Sequence, residues 1–422
     1  MQITDPKYGN YVQILKEELV PAMGCTEPAA LAYAAALARK ELGLCPDRVL
    51  IEVSGNIVKN VKSVVVPNTG GLKGIEAAAA AGIIAGKSEK KLEVIAEVSG
   101  EQKKEIEAYL KSARFEVQMA DTGRIFDIIV TCFSGASSAK IQIADFHTNV
   151  VLAEKDGKIL YSNDGKSEEK GTDRSLLSVE SIIDFADTLR IEDVREIIER
   201  QIAFNSAISA EGLRGHYGAN IGRVLRGYGK NIKIRAKAAA AAGSDARMSG
   251  CELPVIILSG SGNQGMTASL PVIEYAKELK ADHESLIRSL VVADLITVHL
   301  KTGIGRLSAY CGVVSAGAGA GAGIAYLHGG RMEEIAHTIV NALAIDSGIV
   351  CDGAKPSCAA KIATAVDVGI MGYEMYKNGQ QFYGGDGIIA KGVENTIKNI
   401  NRLGKEGMKE TDKEIIRIML NE

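Results

Sequence analysis

Ala316-Gly-Ala-Gly-Ala-Gly-Ala-Gly323 is the stretch of this 422-residue chain that says most about its fold. It lies in a long region, from about residue 179 to 421, where apolar residues recur at helical spacing and glycines separate the segments. Glycine inside a helix costs about 1 kcal/mol relative to alanine, so four glycines within eight residues need a compensating reason. Close approach of the backbone to another backbone or to a cofactor supplies one. We therefore predict closely packed helices here.

Residues 46 to 165 show a different pattern, in which strands alternate with helices. Segments 49–53 and 92–98 read as strands. Alternation of apolar and polar residues marks segments 139–144 and 150–154 as antiparallel strands. The predicted fold class is therefore α+β, with a mainly helical catalytic domain and an inserted α/β mixed-sheet domain.

We divide the chain into three parts. Residues 1–45 are N-terminal helices that we expect to pack on the catalytic domain, residues 46–165 form the α/β domain, and residues 175–422 form the helical catalytic domain. The polar run 163–174 reads as a linker. Helical faces rich in Gly and Ala also favour a homodimer.

Charge and composition narrow the class of function. The net charge of −3 and the pI near 6.2 give no reason to expect nucleic acid or an anionic membrane as a partner. The N-terminus does not resemble a signal peptide, and the apolar stretch 313–327 is too short for a membrane span. We expect a cytoplasmic protein that acts on a small molecule.

Three cysteines in the last third of the chain carry the most chemical information: Cys311, Cys351 and Cys358. Three thiolates can hold an iron–sulfur cluster and leave one iron without a protein ligand. A helix predicted to start at Pro356 would place Cys358 in its first turn, where free N–H groups stabilise a thiolate. The spacings match no local metal motif, so buried structural thiols are the alternative.

The segment Gly24-Cys-Thr-Glu-Pro28 is a second candidate centre. Cys25 lies in a turn directly before a predicted helix, and such a position lowers the pKa of a thiol. Glu27 is placed either to accept a proton or to act as an ordinary acid at a helix start. A capped helix without chemistry is the alternative.

Two polar glycine loops are candidates for holding an anionic group of a substrate. One contains Asn68 and Thr69, and the other contains Ser261 and Asn263. Neither loop is a Walker loop or a dinucleotide-binding fingerprint, so a carboxylate fits better than a nucleotide. Turns without a ligand are the alternative. For His147, which has polar neighbours, a structural role is likewise the alternative.

Five motifs spread over the chain from about residue 10 to 405 occur together: Gly24-Cys-Thr-Glu-Pro28, Ser54-Gly-Asn-x-x-Lys59-Asn60, Pro67-x-Thr-Gly70, Ser308-Ala-x-Cys-Gly312 and Cys351-Asp-Gly-Ala-Lys-x-x-Cys-x-x-Lys361. As a set they resemble the L-cysteine desulfidase family, which is related to the alpha chain of iron–sulfur L-serine dehydratases. Each motif alone is weak, and the set is specific.

The resemblance implies an oxygen-sensitive lyase with a [4Fe–4S] cluster on Cys311, Cys351 and Cys358 and without pyridoxal phosphate. The implied reaction converts L-cysteine and water into pyruvate, ammonia and hydrogen sulfide, with the open iron as Lewis acid. Cys25 as thiolate is the implied base, and Glu27 is the local alternative. From residue type, we assign the substrate carboxylate to Asn68, Thr69, Ser261, Asn263, His147 and Lys355.

Two other functions stay open. An iron–sulfur L-serine dehydratase would eliminate a hydroxyl group with the same geometry, although a thiol is the softer ligand and suits iron better. A structural metal-binding protein would instead use Cys25 as a fourth ligand and leave no open position.

Overall fold

A computed structural model describes residues 1–163, 172–305 and 307–420, and it confirms the predicted α+β class. The helices are α1 (Pro6–Glu18), α2 (Thr26–Leu42), α3 (Gly55–Val61), α4 (Ile75–Ala85), α5 (Gly100–Ser112), α6 (Val179–Thr188), α7 (Arg195–Arg214), α8 (Ile221–Arg226), α9 (Ile232–Met248), α10 (Gly262–Leu279), α11 (His283–Thr302), α12 (Val313–Leu327), α13 (Met332–Ile345), α14 (Cys358–Lys377), α15 (Val393–Arg402) and α16 (Lys409–Leu420). The strands are β1 (Pro21–Met23), β2 (Arg48–Val53), β3 (Arg114–Met119), β4 (Asp127–Ser134), β5 (Ser137–Ala144), β6 (Val150–Lys155), β7 (Lys158–Ser162) and β8 (Pro254–Ile256).

Six strands form one mixed sheet in the order β3-β2-β4-β5-β6-β7. Strands β2 and β3 are parallel, and the other neighbours are antiparallel. In β2 every second residue is buried, because successive side chains point to opposite faces of the sheet. Helix α2 packs on this sheet and on α4. The strands predicted at 139–144 and 150–154 are confirmed as β5 and β6.

The strand predicted for residues 92–98 is wrong. Residues 92 and 93 instead end a 3-10 turn at Ser88–Glu93, and residues 94–97 continue as further turns. Lys91 has a φ of 50°, which bends the chain, and Leu92, Val94 and Ile95 are buried on the inner side of the bend. A short apolar run is buried equally well by turns and by a strand, so its composition alone did not separate them.

The glycine-rich stretch forms α12, whose glycines lie against the backbones of neighbouring helices. A Cβ atom on Gly317 would lie 2.3 Å from the carbonyl oxygen of Ala365 in α14, and one on Gly321 would lie 2.4 Å from that of Gly369. The predicted close packing is therefore confirmed. Because both contacts advance by four residues in the same direction, α12 and α14 run parallel with their starts side by side.

A small sheet of two strands connects the N-terminal segment to the helical region. Strand β1 pairs antiparallel with β8, with Pro21 opposite Ile256. The Thr26 hydroxyl then donates a hydrogen bond of 3.0 Å to the carbonyl oxygen of Gly260. These contacts hold the start of α2 beside the loop that precedes α10.

The three-part division of the chain stays a prediction. Helix α1 packs on α6, where the rings of Tyr8 and Tyr11 meet Phe185 edge-on, whereas α2 packs on the sheet. The predicted linker falls largely on residues 164–171, which lie outside the described residues. Among the helices in the described ranges, none is long and apolar enough to cross a membrane.

Candidate functional site

Cys311, Cys351 and Cys358 lie on the wall of one cavity of about 100 Å³. Cys311 stands two residues before α12, and Cys358 is the first residue of α14. The parallel packing of α12 on α14 therefore brings these two cysteines together at two helix starts. The N–H groups and positive dipole ends of both helices favour thiolates there. Burial acts in the opposite direction and raises the pKa of Cys358 above its ordinary value.

Cys351 joins them through a short antiparallel bridge between Tyr310 and Val350. Backbone hydrogen bonds of 2.9 and 2.7 Å flank the bridge and fix Cys351 beside Cys311. A hydrogen bond between the two sulfur atoms lowers the pKa of Cys351 and raises that of Cys311.

The loop after Cys351 is held by a glycine and two lysines. Gly353 has a φ of 93°, and a Cβ atom there would lie 2.0 Å from the carbonyl oxygen of Lys59. This close approach requires glycine. Lys361 forms an ion pair of 2.5 Å with Asp352, and Lys355 pairs with the same carboxylate.

Cys25 and Glu27, at the start of α2, line the same cavity. The Cys25 thiol donates to Oε2 of Glu27 at 3.3 Å. The Thr26 hydroxyl lies 3.0 Å from the same oxygen and 3.0 Å from the carbonyl oxygen of Gly260, so its single proton is shared between these two acceptors. Oε1 of Glu27 accepts a hydrogen bond of 3.1 Å from the Asn60 amide. Nε2 of His147 lies 3.9 Å from that oxygen.

The expected low pKa of Cys25 is wrong. Burial, and then the Glu27 carboxylate, raise the pKa of Cys25. Burial also acts to raise the pKa of Glu27, but His147 and the Cys25 thiol outweigh it and lower the pKa to about 2. The resting pair is therefore a protonated thiol that donates to an ionised carboxylate.

Three of the six residues predicted to hold the substrate carboxylate line the cavity: Ser261, Asn263 and His147. The other three are absent from its lining within the described residues: Asn68, Thr69 and Lys355. The Asn68 amide donates to the carbonyl oxygen of Ile95 at 2.8 Å, and the Thr69 hydroxyl donates to that of Val66 at 2.7 Å. The Asn68 side chain thus connects its loop to the segment around Ile95, and the Thr69 side chain stabilises its own loop.

Several residues of the cavity wall were missed from the sequence: Lys59, Asn60, Arg247, Gln264 and Lys301. Lys59 is buried and forms an ion pair of 2.5 Å with Asp412 of α16. Lys59 and Asn60 belong to the motif Ser54-Gly-Asn-x-x-Lys59-Asn60, but the sequence alone did not indicate a role for either residue. Arg247 had a weak signal, because it is an isolated cation near the end of an alanine-rich helix.

The residues present fit an iron–sulfur cluster. Among the residues that the structure describes, no three side chains of His, Cys, Asp or Glu meet closely enough to hold a single ion. A cluster instead takes each thiolate on a different iron, so its ligands need not converge on one point. Four thiols, those of Cys25 and of the three proposed ligands, and three lysines line the cavity here. The lysines, Lys59, Lys301 and Lys361, would help to balance the negative charge of such a cluster.

Comparison with known proteins gives a consistent result. The sequence profile of the serine dehydratase alpha chain matches residues 89–417. The chain is 67% identical to a UPF0597 protein of Desulfitobacterium hafniense, over 100% of this chain and 99% of that protein. It is 52% identical to a UPF0597 protein of Lachnoclostridium phytofermentans, over 98% and 100%, and 46% identical to one of Treponema denticola, over 100% of both.

Proposed function

Because the chain belongs to the serine dehydratase alpha chain family, we propose that it is a lyase that removes the group on Cβ of a small amino acid. The proposed substrate is L-cysteine, which reacts with water to give pyruvate, ammonia and hydrogen sulfide. One observation supports this most strongly: Cys25 and Glu27 line the same cavity as Cys311, Cys351 and Cys358. A proton acceptor and three cysteines able to bind iron thus flank one small space.

The proposed cofactor is a [4Fe–4S] cluster held by Cys311, Cys351 and Cys358, and pyridoxal phosphate takes no part. When bound, such a cluster supplies an iron with an open position, a Lewis acid that makes sulfide a better leaving group. Two of the ligands stand at the starts of α12 and α14, whose N–H groups and dipoles would help to stabilise the thiolate form that this binding requires.

Cys25 and Glu27 would move the proton of the substrate. Since Cys25 carries a proton at rest, it becomes a base only by passing that proton on. The proton from Cα goes to Sγ of Cys25, and the thiol proton goes to Oε2 of Glu27, 3.3 Å away. The electron pair of the Cα–H bond forms a Cα=Cβ double bond while the Cβ–S bond breaks, and the pair of the broken bond leaves with sulfur as hydrosulfide. Hydrosulfide takes up the proton held by Glu27 and departs as hydrogen sulfide, which returns the pair to its resting state. The aminoacrylate then takes up water to give pyruvate and ammonia.

Asn60 and His147 would orient this pair. Asn60 holds the second oxygen of Glu27 at 3.1 Å, so the first oxygen stays directed at Cys25. His147 is buried at 6% exposure and lies near the same oxygen as Asn60. It therefore acts on Glu27 rather than on a substrate carboxylate.

L-serine is the second candidate substrate, since the family that matches residues 89–417 is named for serine dehydratase. The softer thiol of L-cysteine favours L-cysteine. The structural role with Cys25 as a fourth ligand is the third candidate, and the bond of Cys25 to Glu27 favours proton transfer over ligation.

The experiment is an anaerobic purification followed by a visible spectrum and assays with each amino acid. Brown protein that releases sulfide and pyruvate in equal amounts from L-cysteine is the expected result. Pyruvate from L-serine alone would move the function to a serine dehydratase. A colourless zinc protein without turnover would contradict the proposal. A cytoplasmic homodimer stays a prediction, and light scattering of the same sample measures the assembly.

A further inference from the structure

We infer that Arg247 binds the α-carboxylate of the substrate, an inference that rests on the proposed function for the class of substrate but not for its leaving group. Arg247 lies in the last turn of α9, and its side chain is among the largest that are fully buried. It lines the cavity that contains Cys25 and the three cysteine ligands. A permanently charged guanidinium has thus been removed from water beside the proposed site of reaction.

Only part of the hydrogen-bonding capacity of this guanidinium is used by the described residues of the protein. Nε of Arg247 donates to the carbonyl oxygen of Gly24 at 3.0 Å, whereas Nη2 is buried without a hydrogen-bond partner. Within residues 1–163, 172–305 and 307–420, no carboxylate lies within 4.0 Å of it. An unpaired buried charge is strongly unfavourable, and buried charges in proteins are therefore paired. An anion bound in the cavity would complete the pair.

The start of α10 gives this anion a second set of donors. The first N–H groups of a helix have no partner within the helix and attract negative charge. Helix α10 has 18 residues, and its first residues Asn263 and Gln264 line the cavity with Arg247. A carboxylate is the anion that matches a planar guanidinium best.

Two unpaired acceptors lie next to these donors. Oδ1 of Asn263 and Oε1 of Gln264 are both buried without a hydrogen-bond partner. Acceptors beside a cation match an ammonium group beside a carboxylate, which is the arrangement in an α-amino acid. The recognised group is therefore the whole amino-acid head, and the leaving group points to the cysteines.

Gly262 holds Arg247 in this position. A Cβ atom on Gly262 would lie 2.5 Å from Nε and 3.0 Å from Cζ of Arg247, so the guanidinium packs directly on the backbone. The same atom would lie 2.6 Å from Cγ2 of Val255. An alanine there would displace the guanidinium while leaving its charge. Gly262 is thus a positioning residue for Arg247, and the substitution G262A separates position from charge.

Arg247 has two other conceivable roles, and the experiment separates them. It could balance the charge of the cluster, or it could act on Cys25 alone. Neither role predicts that the protein distinguishes an amino acid from its amide. The probes are therefore L-alanine, which has the amino-acid head and no leaving group, and L-alaninamide, which lacks the carboxylate.

Both probes are titrated calorimetrically into anaerobic holoprotein of the wild type and of Arg247→Gln, Arg247→Lys and G262A. We expect the wild type to bind L-alanine about 10- to 100-fold more tightly than L-alaninamide, since a hydrogen bond to a buried charge is worth that much. Arg247→Gln should bind both probes about equally, and Arg247→Lys and G262A should fall between. Arg235→Gln, which removes a partly exposed cation paired with Glu278, should keep the wild-type ratio.

Equal binding of the two probes by the wild type, or an unchanged ratio in Arg247→Gln, would overturn the inference. Loss of the visible absorption in Arg247→Gln with an unchanged ratio in Arg247→Lys would assign Arg247 to the cluster and overturn it as well. The wild-type ratio needs no variant, so a failure of Arg247→Gln to fold leaves the test intact. If the ratio depends on Arg247 but no sulfide forms from L-cysteine, the proposed function fails and this inference stands.

Discussion

Replacement of Gly317 by alanine should separate α12 from α14 and weaken iron binding. The added Cβ atom would lie 2.3 Å from the carbonyl oxygen of Ala365 and 2.6 Å from its carbon, whereas ordinary contact begins at 3.4 Å. A backbone carbonyl in the middle of a helix is fixed by the helical geometry and cannot rotate away from the added atom. The helices must therefore move apart by about 1 Å. Cys311 moves with α12, and Cys358 stays with α14.

The expected magnitude follows from two opposing effects. Overpacking of a closely packed core costs about 1–3 kcal/mol, and alanine recovers about 1 kcal/mol of helix propensity relative to glycine. The net loss of stability is therefore about 0–2 kcal/mol, which lowers Tm by at most about 2 °C in a chain of this size. Metal ligands tolerate about 0.2 Å of misplacement, so a shift of about 1 Å should reduce the iron content strongly.

The assay compares Tm and iron per chain in anaerobically prepared proteins. The matched control is Gly9→Ala in α1, where an added Cβ atom meets nothing within 4 Å. This control should raise stability by about 0.5–1 kcal/mol and leave the iron content unchanged. A Gly317→Ala protein with the Tm and iron content of the wild type would refute the reasoning.

Three further predictions test other parts of the structure. Cys25→Ala should keep the visible absorption and lose turnover, and loss of iron in this variant would favour Cys25 as a fourth ligand. Asp412→Ala leaves the buried Lys59 without its partner and should lower the free energy of unfolding by about 3 kcal/mol. The control Glu410→Ala, on the exposed side of α16, should change the free energy of unfolding by less than about 0.5 kcal/mol. Equal losses for the two variants in denaturant titrations would contradict this prediction. Burial raises the pKa of Asp294 from 3.8 to about 8, so the folded state keeps a proton that the unfolded chain releases, and this contribution to stability falls as the pH rises from about 4 to 8. Asp294→Asn should therefore gain stability relative to the wild type between pH 5 and pH 8.5, and a constant difference would show that Asp294 does not titrate in this range.

The sequence predicted the fold where a local pattern had a single physical solution. Four glycines in one helix require close backbones, and the structure has them at Gly317 and Gly321. The alternation in β5 and β6 likewise admits little besides antiparallel strands. A strand and a series of turns would both have buried the apolar residues of segment 92–98, and the structure has turns, which follow a backbone bend at Lys91.

The sequence indicated the residue types of the candidate site, but it did not indicate their protonation states or which charges are paired. The three cysteines and Cys25, which the structure brings to one cavity, were singled out from their neighbours, because small residues and helix starts are visible in a sequence. Their roles stay predictions. The raised pKa of Cys25 was not, since it depends on burial and on the Glu27 carboxylate in the folded chain. Arg247 was missed for the same reason, because its burial without a partner for Nη2 is a property of the packing of α9 on α10.

The central claim is that three cysteines hold a cluster whose fourth iron is open to substrate. Mössbauer spectroscopy of ⁵⁷Fe-labelled, anaerobic protein, recorded before and after addition of L-cysteine, tests this claim most directly. The account predicts that about one quarter of the iron signal changes with L-cysteine and that the rest stays unchanged. Iron that is uniform and insensitive to L-cysteine, in a protein with all three cysteines intact, would contradict it.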